Sequence, residues 1–122
     1  MPEIRLAKTW KDPGWREALQ KLQASAKFAL EQSLVELVKA LQECRSVKLD
    51  PSLQQWSPSR WDPPRDQATQ GEWAEYRLGD SENRARVVIC FDKEEDVIYL
   101  VARTAIHDHT ALRKMVSIFN PR

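Results

Sequence analysis

The chain has 122 residues, of which 42% are hydrophobic and 30% charged; this fits one folded domain and excludes an intrinsically disordered protein. Its 19 basic and 18 acidic residues leave a net charge of +1, so overall charge predicts neither a nucleic acid nor an acidic membrane as partner, although a local basic patch remains compatible with either. The sequence has no apolar run of about 18 residues and no secretory leader, so we expect a cytoplasmic protein without a membrane partner.

The first 45 residues predict one strand followed by two helices. Residues 2–10 alternate weakly between apolar and polar, as a short strand does. Asp12 and Pro13 are typical of a helix start, because aspartate caps free N–H groups and proline suits the first turn. The clearest helix comes next, and its apolar residues form one stripe: Leu30, Leu34, Leu37, Val38 and Leu41. Such a helix is expected to pack on a flat surface.

A proline- and tryptophan-rich loop is predicted over residues 45–71, where four prolines exclude a long helix or a central strand. Loops of this length are often functional or are held down by large side chains. Trp56 and Trp61 have two interpretations: packing back over the core, which is the commoner fate of tryptophan, or stacking on nucleotide bases.

The second half of the chain predicts an antiparallel β-meander. Residues 72–78 and 84–91 alternate with a period of two, a nearly all-apolar run covers 97–103, and short polar turns separate the three. The apolar run suits a central strand with both faces covered. A short amphipathic helix is expected over 110–119. Together these elements predict a single α+β domain of order βααβββ with a final helix, spanning residues 1–122.

The two cysteines, Cys44 and Cys90, lie far apart in apolar stretches and match no metal or redox spacing, so we expect buried free thiols. No metal or cofactor site is predicted.

Arginines concentrate on the predicted sheet, at positions 77, 84, 86 and 103. In a meander, the start of the second strand lies beside the end of the third, so Arg86 and Arg103 are candidates to share a site. An arginine cluster is suited to holding a phosphate or a developing phosphorane. The alternative is that each arginine is an edge residue paired with a carboxylate such as Glu75.

The only two histidines, His107 and His109, flank Asp108 at the junction between the last strand and the last helix. Histidine moves protons in either direction near neutral pH, which favours acid–base chemistry. Two imidazoles at this spacing lack the further ligands of a zinc site. Asp108 or His109 has a simpler interpretation as the cap of the helix that follows.

Residues 73–112 resemble the RelE/HigB toxins of type II toxin–antitoxin systems, within the RelE/ParE superfamily. The resemblance is carried by the segment Glu75-Tyr76-Arg77-Leu78, by the strands at 84–88 and 97–101, and by the histidine-bearing end. It implies a cytoplasmic, metal-independent and cofactor-free endoribonuclease, an mRNA interferase in the hydrolase class. Such a toxin acts on mRNA, often on the ribosome, by attack of the 2′-hydroxyl on the adjacent phosphate. A cognate antitoxin neutralises it.

The same resemblance implies roles for individual residues. Arg86 corresponds to the arginine that steadies the scissile phosphate, Arg103 to the basic residue at the end of the last strand, and His107, with His109 as the alternative, to the catalytic histidine. The predicted substrate-binding residues are Arg77, Arg84, Lys114 and Trp61.

A second hypothesis is a non-catalytic member of the same fold that binds a protein or an RNA through the aromatic loop. Thr110 stands where the family's His-x-x-Tyr ending has tyrosine, and the near-neutral charge is unlike that of most ribosome-directed toxins.

Overall fold

A computed structural model describes residues 2–11, 13–63, 71–78, 85–105 and 108–119. The bounds of the helices and strands, in chain order, are β1 (Glu3–Leu6), α1 (Pro13–Gln20), α2 (Ala24–Glu43), β2 (Ser59–Arg60), β3 (Glu72–Leu78), β4 (Ala85–Asp92), β5 (Val97–Thr104) and α3 (His109–Ser117). Two 3₁₀ turns lie at Lys8–Lys11 and Pro51–Trp56. The α+β class and the predicted order of elements are confirmed.

The strands form one five-stranded sheet of order β1-β5-β4-β3-β2. The meander β3-β4-β5 is antiparallel, whereas β1 runs parallel to β5 and sits at the sheet edge. Strand β5 therefore lies inside the sheet, and nearly all of its side chains are buried, as the apolar run predicted. Within the described ranges, no helix is long and apolar enough to cross a bilayer.

The sheet has two covered faces, which we name after the helices that pack on them. The α2 face carries side chains of one parity from β3 and β4, including Tyr76 and Val87, under the leucine stripe of α2. The α3 face carries the other parity, including Val88, under Leu112 and Val116 of α3. The predicted packing of the N-terminal helices on one face is confirmed, and α3 adds a layer on the other.

The segment 45–71 is more regular than predicted. It contains the 3₁₀ turn Pro51–Trp56 and the short strand β2, which extends the sheet beside β3. Asp50 starts the turn, and its Oδ1 accepts hydrogen bonds from Ser52 Oγ at 2.7 Å and from the Ser52 backbone N–H at 3.0 Å. These bonds, the side-chain one first, lower the pKa of Asp50. A two-residue edge strand is compatible with nearby prolines, which is why composition alone did not reveal it.

Both cysteines are buried free thiols, as predicted. Cys44 donates to the Leu41 carbonyl at the end of α2 at 3.2 Å, and burial raises its pKa to about 11. Nearby, the Tyr76 hydroxyl donates to the Val47 carbonyl and thereby fastens the segment after α2 to the sheet; burial raises the pKa of Tyr76.

Candidate functional site

Two arginines face each other across the β3–β4 pair. Arg77 is opposite Arg86, and Arg86 is in turn opposite Thr104 on β5, so the three form one row across the sheet. Arg86 has the same parity as Val88, which belongs to the α3-face cluster, so this arginine row lies on the α3 face. Arg77 is exposed and Arg86 is largely covered. Two cations directly opposite each other repel, so the row favours an anion beside it.

Glu75 supplies one such negative charge. Arg86 Nε lies 3.8 Å from Glu75 Oε1, and the two side chains are only 11% and 15% exposed. Arg86 Nη1 also donates to the Ala85 carbonyl at 3.1 Å. Arg77 is exposed and forms no ion pair among the described residues, so it is the cation of the row that is open to an anion. The sequence offered the alternative of an edge arginine paired with a carboxylate such as Glu75. Arg86 does pair with Glu75, but both side chains are largely covered and do not lie at an exposed edge.

Arg103 lies on the other side of the sheet. It is opposite Val87, a residue of the α2-face cluster. Its guanidinium carbon is 4.5 Å from the ring centroids of both Trp10 and Trp15. Burial lowers its pKa to about 10. Sequence reasoning missed both tryptophans; their position on either side of the predicted helix start was the available signal.

The shared site expected for Arg86 and Arg103 is therefore wrong, and a β-bulge is the reason. The register changes from Val88 opposite Ala102 to Ile89 opposite Leu100, which leaves Val101 as an extra residue in β5. The Thr9 hydroxyl donates to the Val101 carbonyl at 2.5 Å. One extra residue reverses the parity of everything that follows, so Arg103 points to the α2 face.

The histidine-bearing end of β5 leads into α3. Asp108 is the N-cap of this helix, and its Oδ1 accepts from the Ala111 N–H at 3.0 Å, which confirms the capping interpretation for Asp108. His109 is the first residue of α3 and is exposed, with its ring centroid 5.1 Å from that of Trp61. His107 lies outside the described residues, as does Arg84.

Trp56 and Trp61 pack into the core, with 4% and 5% of their surface exposed. Trp56 Nε1 also donates to Ser33 Oγ of α2 at 3.0 Å. Packing over the core is thus confirmed, and the aromatic contact surface of the second hypothesis is wrong, because neither ring is free to meet a partner or a base. Lys114, by contrast, is exposed near the end of α3.

The described part of the chain therefore brings Arg77, Arg86 and Glu75 together on the α3 face and places His109 on the helix that packs there. It separates Arg103 from them. Among the described residues, no hydrogen bond or ion pair in the structure joins His109 to the arginine row.

No family model matches the chain. No curated protein matches it either. Among solved structures, it is similar to the isolated RelE toxin of E. coli, with 14% sequence identity, a TM-score of 0.45, and coverage of 95% of this chain and 96% of that one.

Proposed function

We propose that this protein is an RNA-directed toxin of the RelE/HigB kind that cleaves mRNA without a metal ion and is neutralised by a cognate antitoxin. The observation that supports this most is the pair Arg77 and Arg86, opposed across β3 and β4 on the α3 face. Guanidinium groups hold phosphate in a planar, often bidentate geometry, and they keep their charge at any physiological pH.

The proposed chemistry is a transfer of the phosphodiester to the neighbouring ribose oxygen. The 2′-hydroxyl loses its proton to a histidine, its oxygen attacks phosphorus, and the bond to the 5′-oxygen breaks as that oxygen gains a proton. The products are a 2′,3′-cyclic phosphate and a 5′-hydroxyl. Arg86 and Arg77 stabilise the extra negative charge of the phosphorane, and His107, with His109 as the alternative, moves the proton.

A labelled single-stranded RNA incubated with the purified protein in excess EDTA tests the proposal. We expect cleavage with cyclic-phosphate ends, and a loss of about 100-fold in rate for Arg86→Gln, the usual scale for removing one group that stabilises a transition-state anion. Arg113→Gln is the matched control, since Arg113 is exposed on α3. Abolition of cleavage by EDTA, or equal rates for the two variants, would contradict the proposal.

The Arg86–Glu75 pair favours a second candidate, a non-catalytic RNA-binding protein of the same fold. A largely covered arginine that already has a carboxylate partner has less to offer a phosphorane than a free one. This candidate predicts that the RNA is retained intact while Arg77→Gln weakens its binding. Pull-down with the product of a neighbouring small reading frame tests the antitoxin in either case.

A further inference from the structure

The two edge strands of the sheet differ in what they offer another chain. Strand β2 is only two residues long and directly follows Pro58, so it presents little backbone for pairing. Strand β1 at the other edge is four residues long, and within the described ranges no strand pairs with its outer side. Leu6 of β1 is 56% exposed, so this edge is open. An open edge strand is a template for a strand from another chain.

The backbone groups that face outward from β1 are those of Ile4 and Leu6. The Glu3 N–H donates to the Asp96 carbonyl at 2.9 Å, and the Ala7 N–H donates to the Leu100 carbonyl at 3.1 Å. Residues 3, 5 and 7 therefore bond to β5, which runs parallel to β1. Because backbone groups alternate in direction along a strand, the N–H and C=O of Ile4 and Leu6 point away from the sheet.

The side chains of β1 carry opposite charges two residues apart. Arg5 Nη2 lies 2.8 Å from Glu3 Oε2, and the two side chains are 48% and 59% exposed. Ile4 packs against the α2-face cluster, so Glu3 and Arg5, which have the other parity, lie on the α3 face. Opposite charges directly across a strand pair attract, so an edge of this kind is able to match a copy of itself.

A second copy of β1 fits this edge in one register. In an antiparallel pair, residues with outward groups stand opposite each other, so a two-fold axis passes through a single position of the strand. An axis at Arg5 would oppose two guanidinium groups, and an axis at Glu3 would oppose two carboxylates. An axis at Leu6 would align part of β1 with the 3₁₀ turn Lys8–Lys11. An axis at Ile4 pairs the two Ile4 backbones reciprocally and places Glu3 of each copy opposite Arg5 of the other.

We propose that β1 pairs with β1 of a second copy of this chain, antiparallel and centred on Ile4, so that two five-stranded sheets join at their edges. The two-fold axis repeats each contact, which gives two Glu3–Arg5 pairs between the copies. With four residues a side the contact is small, so the dimer is weak and forms as protein concentration rises. Strands β5 and β4 separate β1 from β3, so Arg77 stays open and the inference does not rest on RNA cleavage.

Sedimentation equilibrium of the whole chain at low ionic strength, up to about 1 mM protein, measures the association. Glu3→Arg and Arg5→Glu each create two like-charge pairs, so each should weaken association about tenfold or more. The double variant exchanges the two charges, keeps the net charge, and should associate as the unchanged protein does. Arg60→Glu is the matched control on β2, where Arg60 is 77% exposed; it should leave association unchanged.

Backbone amide exchange locates the contact. The Ile4 N–H should become protected as protein concentration rises, whereas the Ala7 N–H, already bonded to Leu100, should be protected at every concentration. Four outcomes would each overturn the proposal: a monomer at about 1 mM, equal association of Arg5→Glu and Arg60→Glu, a double variant as weak as the single ones, or association without a change at Ile4.

Discussion

Arg86 and Arg103 lie on opposite faces of the sheet, although they belong to neighbouring strands. Arg86 is opposite Thr104, and Arg103 is opposite Val87, one position earlier along β5. The two cations consequently meet different surroundings: a carboxylate for Arg86 and two indole rings for Arg103. Any phosphate held by the arginine row is held without Arg103.

Replacing the carboxylate in this row should separate stability from RNA binding. Glu75→Gln removes the carboxylate charge beside the largely covered Arg86, so we expect a fall of about 1–3 kcal/mol in the free energy of unfolding. The same change frees positive charge, so RNA affinity should rise. Urea denaturation and filter binding measure the two effects. A variant that loses stability without gaining affinity would argue against a phosphate beside Arg86.

Arg77→Gln should act in the opposite sense. It removes one of two opposed cations, so stability should stay the same or rise by a few tenths of a kcal/mol. RNA binding should weaken, and the slope of log affinity against log salt should become shallower by about 0.7, the value for one phosphate contact with a single strand. Arg113→Gln gives the baseline; if its slope matches that of Arg77→Gln, Arg77 contacts no phosphate.

The cap of α3 gives a prediction that concerns folding alone. Asp108→Ala removes the acceptor for the Ala111 N–H and should lower the free energy of unfolding by about 1 kcal/mol, whereas Asp108→Asn should be nearly neutral. Asp62→Ala is the control: it breaks an exposed pair with Arg60 and should cost well under 1 kcal/mol. Equal losses for Asp62→Ala and Asp108→Ala would mean that the cap contributes nothing.

The fall in the free energy of unfolding at alkaline pH should depend on Cys44. Its pKa is about 11 in the folded protein, against an ordinary value of 9.0, so above pH 9 the unfolded chain releases a proton that the folded protein keeps. The unfolded state then binds fewer protons, and stability falls as pH rises from 9 to 11, by about 2 kcal/mol at most. Cys44→Ala should make the fall in stability between pH 9 and 10 shallower, as followed by chemical denaturation at each pH, while the fall above pH 10 persists because burial also raises the pKa of Tyr76. Equal falls in the two proteins would contradict the assignment.

Gly71 is predicted to be intolerant of any side chain. A Cβ there would lie 2.5 Å from Cys90 Sγ and 3.1 Å from the Phe91 carbonyl oxygen, at the start of β3. Gly71→Ala should therefore cost about 1–3 kcal/mol by overpacking. Adding Cys90→Ala removes the closer atom and should recover part of that loss, so the double-mutant cycle should show positive coupling. Strictly additive losses would place the strain at the Phe91 carbonyl instead.

The sequence by itself determined every helix and strand except β2, and the antiparallel order of β3, β4 and β5. Periods of two and of 3.6 residues predicted β3, β4 and α2 with bounds close to those observed, because one covered face imposes a regular alternation of apolar and polar residues. The buried thiols followed from the apolar stretches around both cysteines, and the cap at Asp108 followed from its place just before the last helix.

Only the tertiary structure decided which faces the charged residues occupy. Strand β5 is covered on both sides, so its residues are apolar throughout and do not alternate with polar ones. The sequence pattern therefore gives no sign of the extra residue at Val101. That bulge moves Arg103 from the face of Arg86 to that of Trp10 and Trp15. Side-chain direction in a strand depends on counting residues by twos, and a single inserted residue reverses it.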